Sequence, residues 1–224
     1  MKRFTSFDFG LSGLTSLFHE DWSHVGEVEE VVSSYLSVGE GPVADEAQKK
    51  EAAALERDVA ALACSSLSDG DIEMLFETST SWNYRFRTSE TGRALLGRID
   101  SACRRWQKTY GRVSAEADPM WSSPSVVNEV CDLIKSTPLQ PSGEFLRYFG
   151  SGISELRDAL DRCARRVSAD LAFRLLLRVH LANFISVERD YWARYEGVSS
   201  RLALGEDLLS SVEFLIADTR PEAN

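Results

Sequence analysis

Residues 45–76 read DEAQKKEAAALERDVAALACSSLSDGDIEMLF, and this stretch determines the fold class. Its core-facing apolar positions recur at the spacing of one helix face, and they are Ala47, Leu55, Val59 and Leu62. Ser68 and Asp71 then have the spacing of a capping box that opens a shorter helix. Two successive helices joined by a few polar residues predict an all-α fold.

Helical spacing accounts for at least eight segments of the chain, and these include the two in this stretch. The longest, residues 171–195, is apolar on several sides and is predicted to be one central helix. Residues 202–216 predict a last helix, and only residues 82–86 resemble a strand. We therefore predict an all-α, multi-helix globular protein with two packed helical halves.

The boundary between the halves is predicted in residues 107–124, QKTYGRVSAEADPMWSSP. This segment contains a glycine and two prolines and has little periodicity, which is typical of a linker or an ordered crossover. It separates a helical domain in residues 1–106 from a second helical domain or extension in residues 125–224.

The formal net charge is -10 at pH 7. A surface that binds nucleic acid needs clustered Lys and Arg, so this charge argues against a nucleic-acid partner. Residues 1–60 hold twelve acidic and five basic residues. This acidic surface is either a solvated face that aids solubility or a docking face for a basic partner. The candidate partner-binding residues are Glu27, Glu29, Glu30, Asp45 and Glu46.

The cysteines and the apolar runs bear on the compartment. The four cysteines form no C-x-x-C pair, and all four are predicted to lie reduced on apolar helix faces: Cys64, Cys103, Cys131 and Cys163. No histidine is near any of them in sequence, so we expect no catalytic cysteine.

No apolar run of 18 residues occurs, and acids, glycines and serines interrupt the N-terminus. We expect a cytoplasmic protein with no membrane partner.

The stretch FHEDWSHV, which begins at Phe18, contains two of the three histidines. A zinc site on one helix needs histidines four residues apart, because that spacing puts both on one face. His19 and His24 are five apart, which rotates one about 140° from the other, and only His180 remains as a nitrogen donor. We expect no metal site and no cofactor. Phe18 and Trp22 are instead predicted to form an apolar contact at a helix end.

The order of motifs in the first half resembles a known family. The stretch LTSLFHEDWSHVGEVEEVVSSYLS is followed by the acidic, alanine-rich residues 45–76, by WNYRF and by an amphipathic helix. This order is similar to that of the small helical immunity proteins of contact-dependent growth inhibition, and the similarity covers about residues 4–106. The family's aromatic-His-x-Asp-Trp motif, which closes its first helix, is matched here by Phe18, His19, Asp21 and Trp22.

The resemblance implies a protein that binds a cognate toxin domain and blocks it. It also implies that the motif defines the fold, with Trp22 anchoring the first helices and Asp21 capping the turn into the second. No catalytic residue follows from it. Many such toxins attack nucleic acids and carry basic active sites, so a carboxylate-rich inhibitor would gain fast association.

Two other classes of function stay open. An all-helical enzyme would need convergent polar groups, and the best candidates are His180, Glu188 and Asp190. On one continuous helix these residues would lie two to three turns apart, beyond contact of ordinary side chains. A helical adaptor or regulatory protein with another basic partner predicts the same acidic surface. A toxin gene beside the gene for this chain would favour immunity over the adaptor.

Overall fold

The computed structural model describes residues 8–19, 22, 26–37, 44–113, 123–139 and 153–217. Of these residues 71% are helical, in ten helices, which confirms the predicted all-α fold. They fall into two compact units, an N-terminal unit in residues 8–113 and a C-terminal unit in residues 123–217.

The N-terminal unit is built around its last helix. Its five helices are α1 (Gly10–Thr15), α2 (Val28–Leu36), α3 (Glu46–Ala63), α4 (Asp69–Ser79) and α5 (Gly92–Tyr110). Helix α5 packs against α2, α3 and α4, and α3 also packs against α1. Leu95, Leu96 and Ile99 of α5 are completely buried in this core. Helix α5 continues four residues into the segment 107–124 and ends before Gly111, whose φ is 97°.

Side-chain caps fix where the helices begin. Ser68 accepts a hydrogen bond from the backbone N–H of Asp71, so the predicted capping box of α4 is confirmed. Helix α3 begins at Glu46, because Asp45 is its N-cap and accepts from the N–H of Gln48. Leu55, Val59 and Leu62 are buried as predicted, but Ala47 is exposed because the first turn of α3 faces solvent.

Acidic residues of α3 also hold the buried helix α1. The backbone N–H of Gly10 donates to Glu51 Oε1 at 2.7 Å, and that of Leu11 donates to Asp58 Oδ2 at 3.1 Å. The hydroxyl of Tyr35 donates to Glu51 as well. The first N–H groups of a helix have no partner within it, and carboxylates at that end favour its dipole. Part of the N-terminal acidic excess therefore stabilises the fold instead of forming surface.

The C-terminal unit surrounds one buried helix. Its elements are α6 (Pro124–Ser136), α7 (Ile153–Arg166), α8 (Ala169–Ala182), β1 (Val187–Glu188), α9 (Arg189–Arg201), α10 (Glu206–Glu213) and β2 (Ile216–Ala217). Helix α8 packs against α6, α7 and α10. The two short strands pair in parallel, with Val187 opposite Ile216.

The prediction of one helix over residues 171–195 is wrong. Helix α8 ends at Ala182, Phe184 has a φ of 49°, and the backbone N–H of Ile185 donates to the carbonyl of His180. The apolar pattern continued because Ile185 and Val187 of the following turn and strand are also buried. The last helix predicted over residues 202–216 is present but shorter, since α10 spans Glu206–Glu213 and β2 follows it.

Two smaller predictions are also corrected. Residues 82–86 are not a strand, because Ser81 and Trp82 have φ values of 53° and 62° and form a turn after α4.

Cys64 is exposed at the C-cap of α3, whereas the other three cysteines are buried. Burial raises the pKa of the Cys103 thiol to about 12 and that of Cys131 to about 11. Both thiols therefore stay protonated at neutral pH.

Candidate partner-binding surface

The motif residues Phe18 and Trp22 belong to an aromatic cluster, which we define as Phe18, Trp22, Phe76 and Tyr84. The ring centroid of Phe18 lies 5.1 Å from that of Trp22 and 5.5 Å from that of Tyr84. Trp22 Nε1 donates to the carbonyl of Asn83 at 2.8 Å, and Asn83 Nδ2 donates to the carbonyl of Phe18 at 3.2 Å. The cluster ties the segment after α1 to the connection between α4 and α5.

The other two motif residues are placed differently. His19 is exposed, and Asp21 lies outside the described residues, so its predicted role as a cap stays a prediction. Phe18 is buried, whereas Trp22 is half-buried. The structure places Trp22 against the α4–α5 connection as well as against the end of the first helix. The apolar contact between Phe18 and Trp22 that their spacing predicts is present.

Three carboxylates meet one guanidinium at the N-terminal end of α2, and we call these four side chains the Arg98 cluster. Glu29 receives two hydrogen bonds, from Arg98 Nε at 2.9 Å and from Nη2 at 2.8 Å. Arg98 Nη2 also donates to Glu27 at 2.9 Å, and Nη1 donates to Glu90 at 3.1 Å. Three negative charges against one positive charge leave the Arg98 cluster with a net negative charge.

Hydrogen bonds connect the Arg98 cluster to the aromatic cluster and keep Glu29 ionised. The hydroxyl of Tyr84 donates to Glu90 Oε2 at 2.6 Å. The hydrogen bonds from Arg98 lower the pKa of Glu29 to about 2. Burial and the bond to Glu90 raise the pKa of Tyr84 well above its ordinary value, so its hydroxyl remains a donor. The carboxylates of the cluster are thus held in position by groups that keep their charge and proton at neutral pH.

Glu30 adds a further acidic group beside the Arg98 cluster. It is exposed, and its Oε2 accepts from the backbone N–H of Glu27 at 3.1 Å at the start of α2. The Glu27 side chain is 77% exposed although it is paired with Arg98. Glu27 and Glu30 therefore present carboxylates to solvent, whereas Glu29 is occupied mainly by Arg98.

The remaining two candidates, Asp45 and Glu46, lie at the other end of α5. Glu46 pairs with Lys49 at 3.0 Å, and Lys49 Cε lies 3.7 Å from the position that a Cβ on Gly111 would take. Arg98 and Gly111 are about thirteen residues apart along α5, which corresponds to about 20 Å at 1.5 Å per residue. The five predicted carboxylates therefore form two separate groups instead of one face.

The polar residues considered for an enzyme lie on three different elements. His180 is completely buried on α8, where its ring nitrogens contact the carbonyl of Ile185 at 2.9 Å and the hydroxyl of Tyr195 at 2.8 Å. Burial lowers the pKa of His180 to about 4. Glu188 belongs to β1, and Asp190 is exposed in the first turn of α9. His180 thus serves as a neutral, hydrogen-bonded core residue.

Sequence reasoning missed Glu90 and Arg98, the two members that complete the Arg98 cluster.

Among the residues that the structure describes, no group of three or more His, Cys, Asp or Glu side chains could hold a metal ion. His24 lies outside that part of the chain. No helix of the described segments is long and apolar enough to cross a membrane. Comparison with protein-family models, curated proteins and solved structures gives no match for this chain.

Proposed function

We propose that this chain is an immunity protein that binds and neutralises a cognate toxin domain of a bacterial contact-dependent inhibition or polymorphic toxin system. The inhibition would be stoichiometric protein–protein binding, with no catalytic step. The resemblance of residues 4–106 to such immunity proteins motivates the proposal. The observation that carries it is the Arg98 cluster, whose carboxylates are fixed on the surface of the N-terminal unit.

The Arg98 cluster has the properties of a docking surface for a basic protein. Its carboxylates are already ordered by Arg98 and, through Glu90, by Tyr84. Ordered side chains lose less entropy on binding than mobile ones. The exposed carboxylates of Glu27 and Glu30 would meet Lys or Arg side chains of the partner. Such complementarity raises association rates and excludes acidic competitors.

The aromatic cluster supports the same proposal because it connects the sequence motif to the acidic surface. Tyr84 contacts Phe18 and Trp22 through its ring and Glu90 through its hydroxyl. The motif residues that motivate the family comparison are therefore linked to the acidic surface through one side chain. In this proposal, the motif maintains the geometry of the surface that binds the toxin.

The proposal predicts a toxin gene beside the gene for this chain, and the test is the kinetics of binding to that toxin domain. The double variant Glu27→Lys/Glu30→Lys reverses two charges at the start of α2. A matched control, Glu155→Lys/Asp207→Lys, makes the same change in net charge at exposed first-turn positions of α7 and α10. We expect a tight complex with the unaltered chain and association slowed on the order of 10-fold in the first variant at about 50 mM salt.

The control should change the association rate constant by less than about 2-fold. The difference in this rate constant between the two variants should shrink at about 500 mM salt. Equal slowing by both variants would show that only the overall charge matters, and it would remove the Arg98 cluster from the interface. If the unaltered chain forms no complex with that toxin domain, immunity is refuted, and the adaptor with another basic partner becomes the better explanation.

A further inference from the structure

A cleft of about 540 Å³ lies between α3 and the end of α5 in the N-terminal unit. Two alanines that are two turns apart on α3, Ala53 and Ala60, leave room for it because their side chains are small. Three arginines line the same cleft: Arg57, Arg104 and Arg112. An arginine-lined cleft is unusual on a chain with a net charge of -10, and none of the contacts in the Arg98 cluster involves it.

Two of these guanidinium groups are anchored at one edge and leave donors unused. Arg104 Nε donates to Asp100 Oδ2 at 2.7 Å, and Arg112 Nη2 donates to Glu56 Oε1 at 2.8 Å. Each guanidinium carries five N–H donors. Both terminal amino groups of Arg104, and Nε and Nη1 of Arg112, have no protein partner within the described segments. Arg57 is instead paired with Asp58.

Glu56 fixes the position of Arg112. Its side chain is only 11% exposed, and its second oxygen accepts from Gln107 Nε2 at 3.1 Å. Gln107 is itself buried on α5. Because Gln107 holds Glu56 in place, Glu56 directs Arg112 towards the mouth of the cleft. Donors that are ordered before binding lose little entropy when an anion arrives.

From this geometry we propose that the cleft binds a phosphate-bearing small molecule, with Arg104 and Arg112 donating to its phosphate oxygens. Guanidinium groups match phosphate because they offer two parallel N–H donors to two oxygens. The volume lies within the range of about 300–1,000 Å³ that is typical of small-molecule sites. Asp100, Glu56 and Asp58 each pair with one of the three arginines, so the cleft has little net charge and the attraction rests on the N–H donors that these pairs leave unused. The site is independent of the proposed toxin binding.

The experiment titrates the full chain with AMP and with inorganic phosphate by isothermal calorimetry at low salt, with adenosine and citrate as comparison probes. We expect AMP to bind with a dissociation constant below about 1 mM, inorganic phosphate to bind more weakly, and adenosine not to bind. The variant Arg104→Gln should weaken AMP binding about 10-fold or more. It removes an exposed side chain, and a thermal melt verifies that it folds.

The matched control is Arg165→Gln in the C-terminal unit, because Arg165 Nε donates to Asp161 at 2.9 Å in the same i,i+4 arrangement as Arg104 and Asp100. This control should bind AMP as the unaltered chain does. The proposal is overturned if AMP and phosphate do not bind below about 10 mM, or if Arg165→Gln weakens binding as much as Arg104→Gln. It is also overturned if citrate binds as tightly as AMP, since the cleft would then not select phosphate.

Discussion

Acidification should destabilise the C-terminal unit through His180. The ring nitrogens of this residue contact Ile185 and Tyr195 inside the core, and the hydroxyl of Tyr195 in turn lies 3.2 Å from that of Thr137. The carbonyl of Ile185 can only accept, so Nδ1 carries the proton and Nε2 accepts from Tyr195. A second proton on the ring would reverse the hydrogen bond with Tyr195, whose oxygen can also accept, and would bury a charge in the core.

The size of the effect follows from the pKa of His180, which falls from 6.5 to about 4 on folding. Between these values the unfolded chain binds a proton that the native chain does not, so the free energy of unfolding decreases as the pH falls. At 1.36 kcal/mol per pKa unit, the shift of the His180 pKa from 6.5 to about 4 corresponds to roughly 3 kcal/mol of unfolding free energy. The stabilisation is complete above about pH 6.5 and is lost progressively towards pH 4.

Urea unfolding of the unaltered chain and of His180→Gln at several pH values measures this effect. The difference in unfolding free energy between the two should shrink by roughly 3 kcal/mol from pH 7 to pH 4, because Gln does not titrate. A matched variant, His19→Gln, removes an exposed histidine of the N-terminal unit and controls for the loss of a histidine side chain as such. A difference for His180→Gln that stays constant within about 0.5 kcal/mol over this range would refute the assignment of the acid sensitivity to His180.

The remaining predictions concern packing in the N-terminal unit. Gly92→Ala would place a Cβ 2.8 Å from Ile72 and 2.9 Å from the carbonyl of Asp69, whereas Gly97→Ala on the same helix meets nothing within 4 Å. We expect the first to lower the unfolding free energy by about 1–3 kcal/mol and the second to raise it by up to about 1 kcal/mol in urea titrations; equal effects would contradict the close packing of α4 on α5. Trp22→Ala should cost about 2–4 kcal/mol in the same assay, because it removes a half-buried ring and the bond to Asn83. His19→Ala should cost less than about 0.5 kcal/mol, and a similar loss for both would exclude Trp22 as an anchor.

The helices could be predicted because their signals are local. The capping box of Ser68 and Asp71 spans four residues, and the stripe of Leu55, Val59 and Leu62 spans about two turns of one helix. Both patterns depend only on neighbours along the chain. The interruption after Ala182 could not be predicted, since Ile185 and Val187 of the turn and strand that follow are buried like the apolar residues of the helix itself. Periodicity does not distinguish a fully buried helix from such a sequence of elements.

The candidate surface was only partly predictable for a different reason. Glu27, Glu29 and Glu30 were identified from the acidic composition, but their partner Arg98 is 71 residues from Glu27 and 69 from Glu29. No local pattern connects residues so far apart. The same holds for Glu51 and Asp58, which looked like surface acids and instead bind the first N–H groups of α1. Tertiary pairing therefore decides which carboxylates are available to a partner.

Growth protection tests the central claim, immunity, most directly. Bacterial cells are induced to express the toxin domain that the proposal predicts to be encoded beside the gene for this chain, with and without co-expression of the chain. The proposal predicts that the unaltered chain restores growth, that Glu27→Lys/Glu30→Lys protects less at equal expression, and that Glu155→Lys/Asp207→Lys protects as well as the unaltered chain. Continued growth arrest in cells that contain the folded, unaltered chain in excess would contradict the claim.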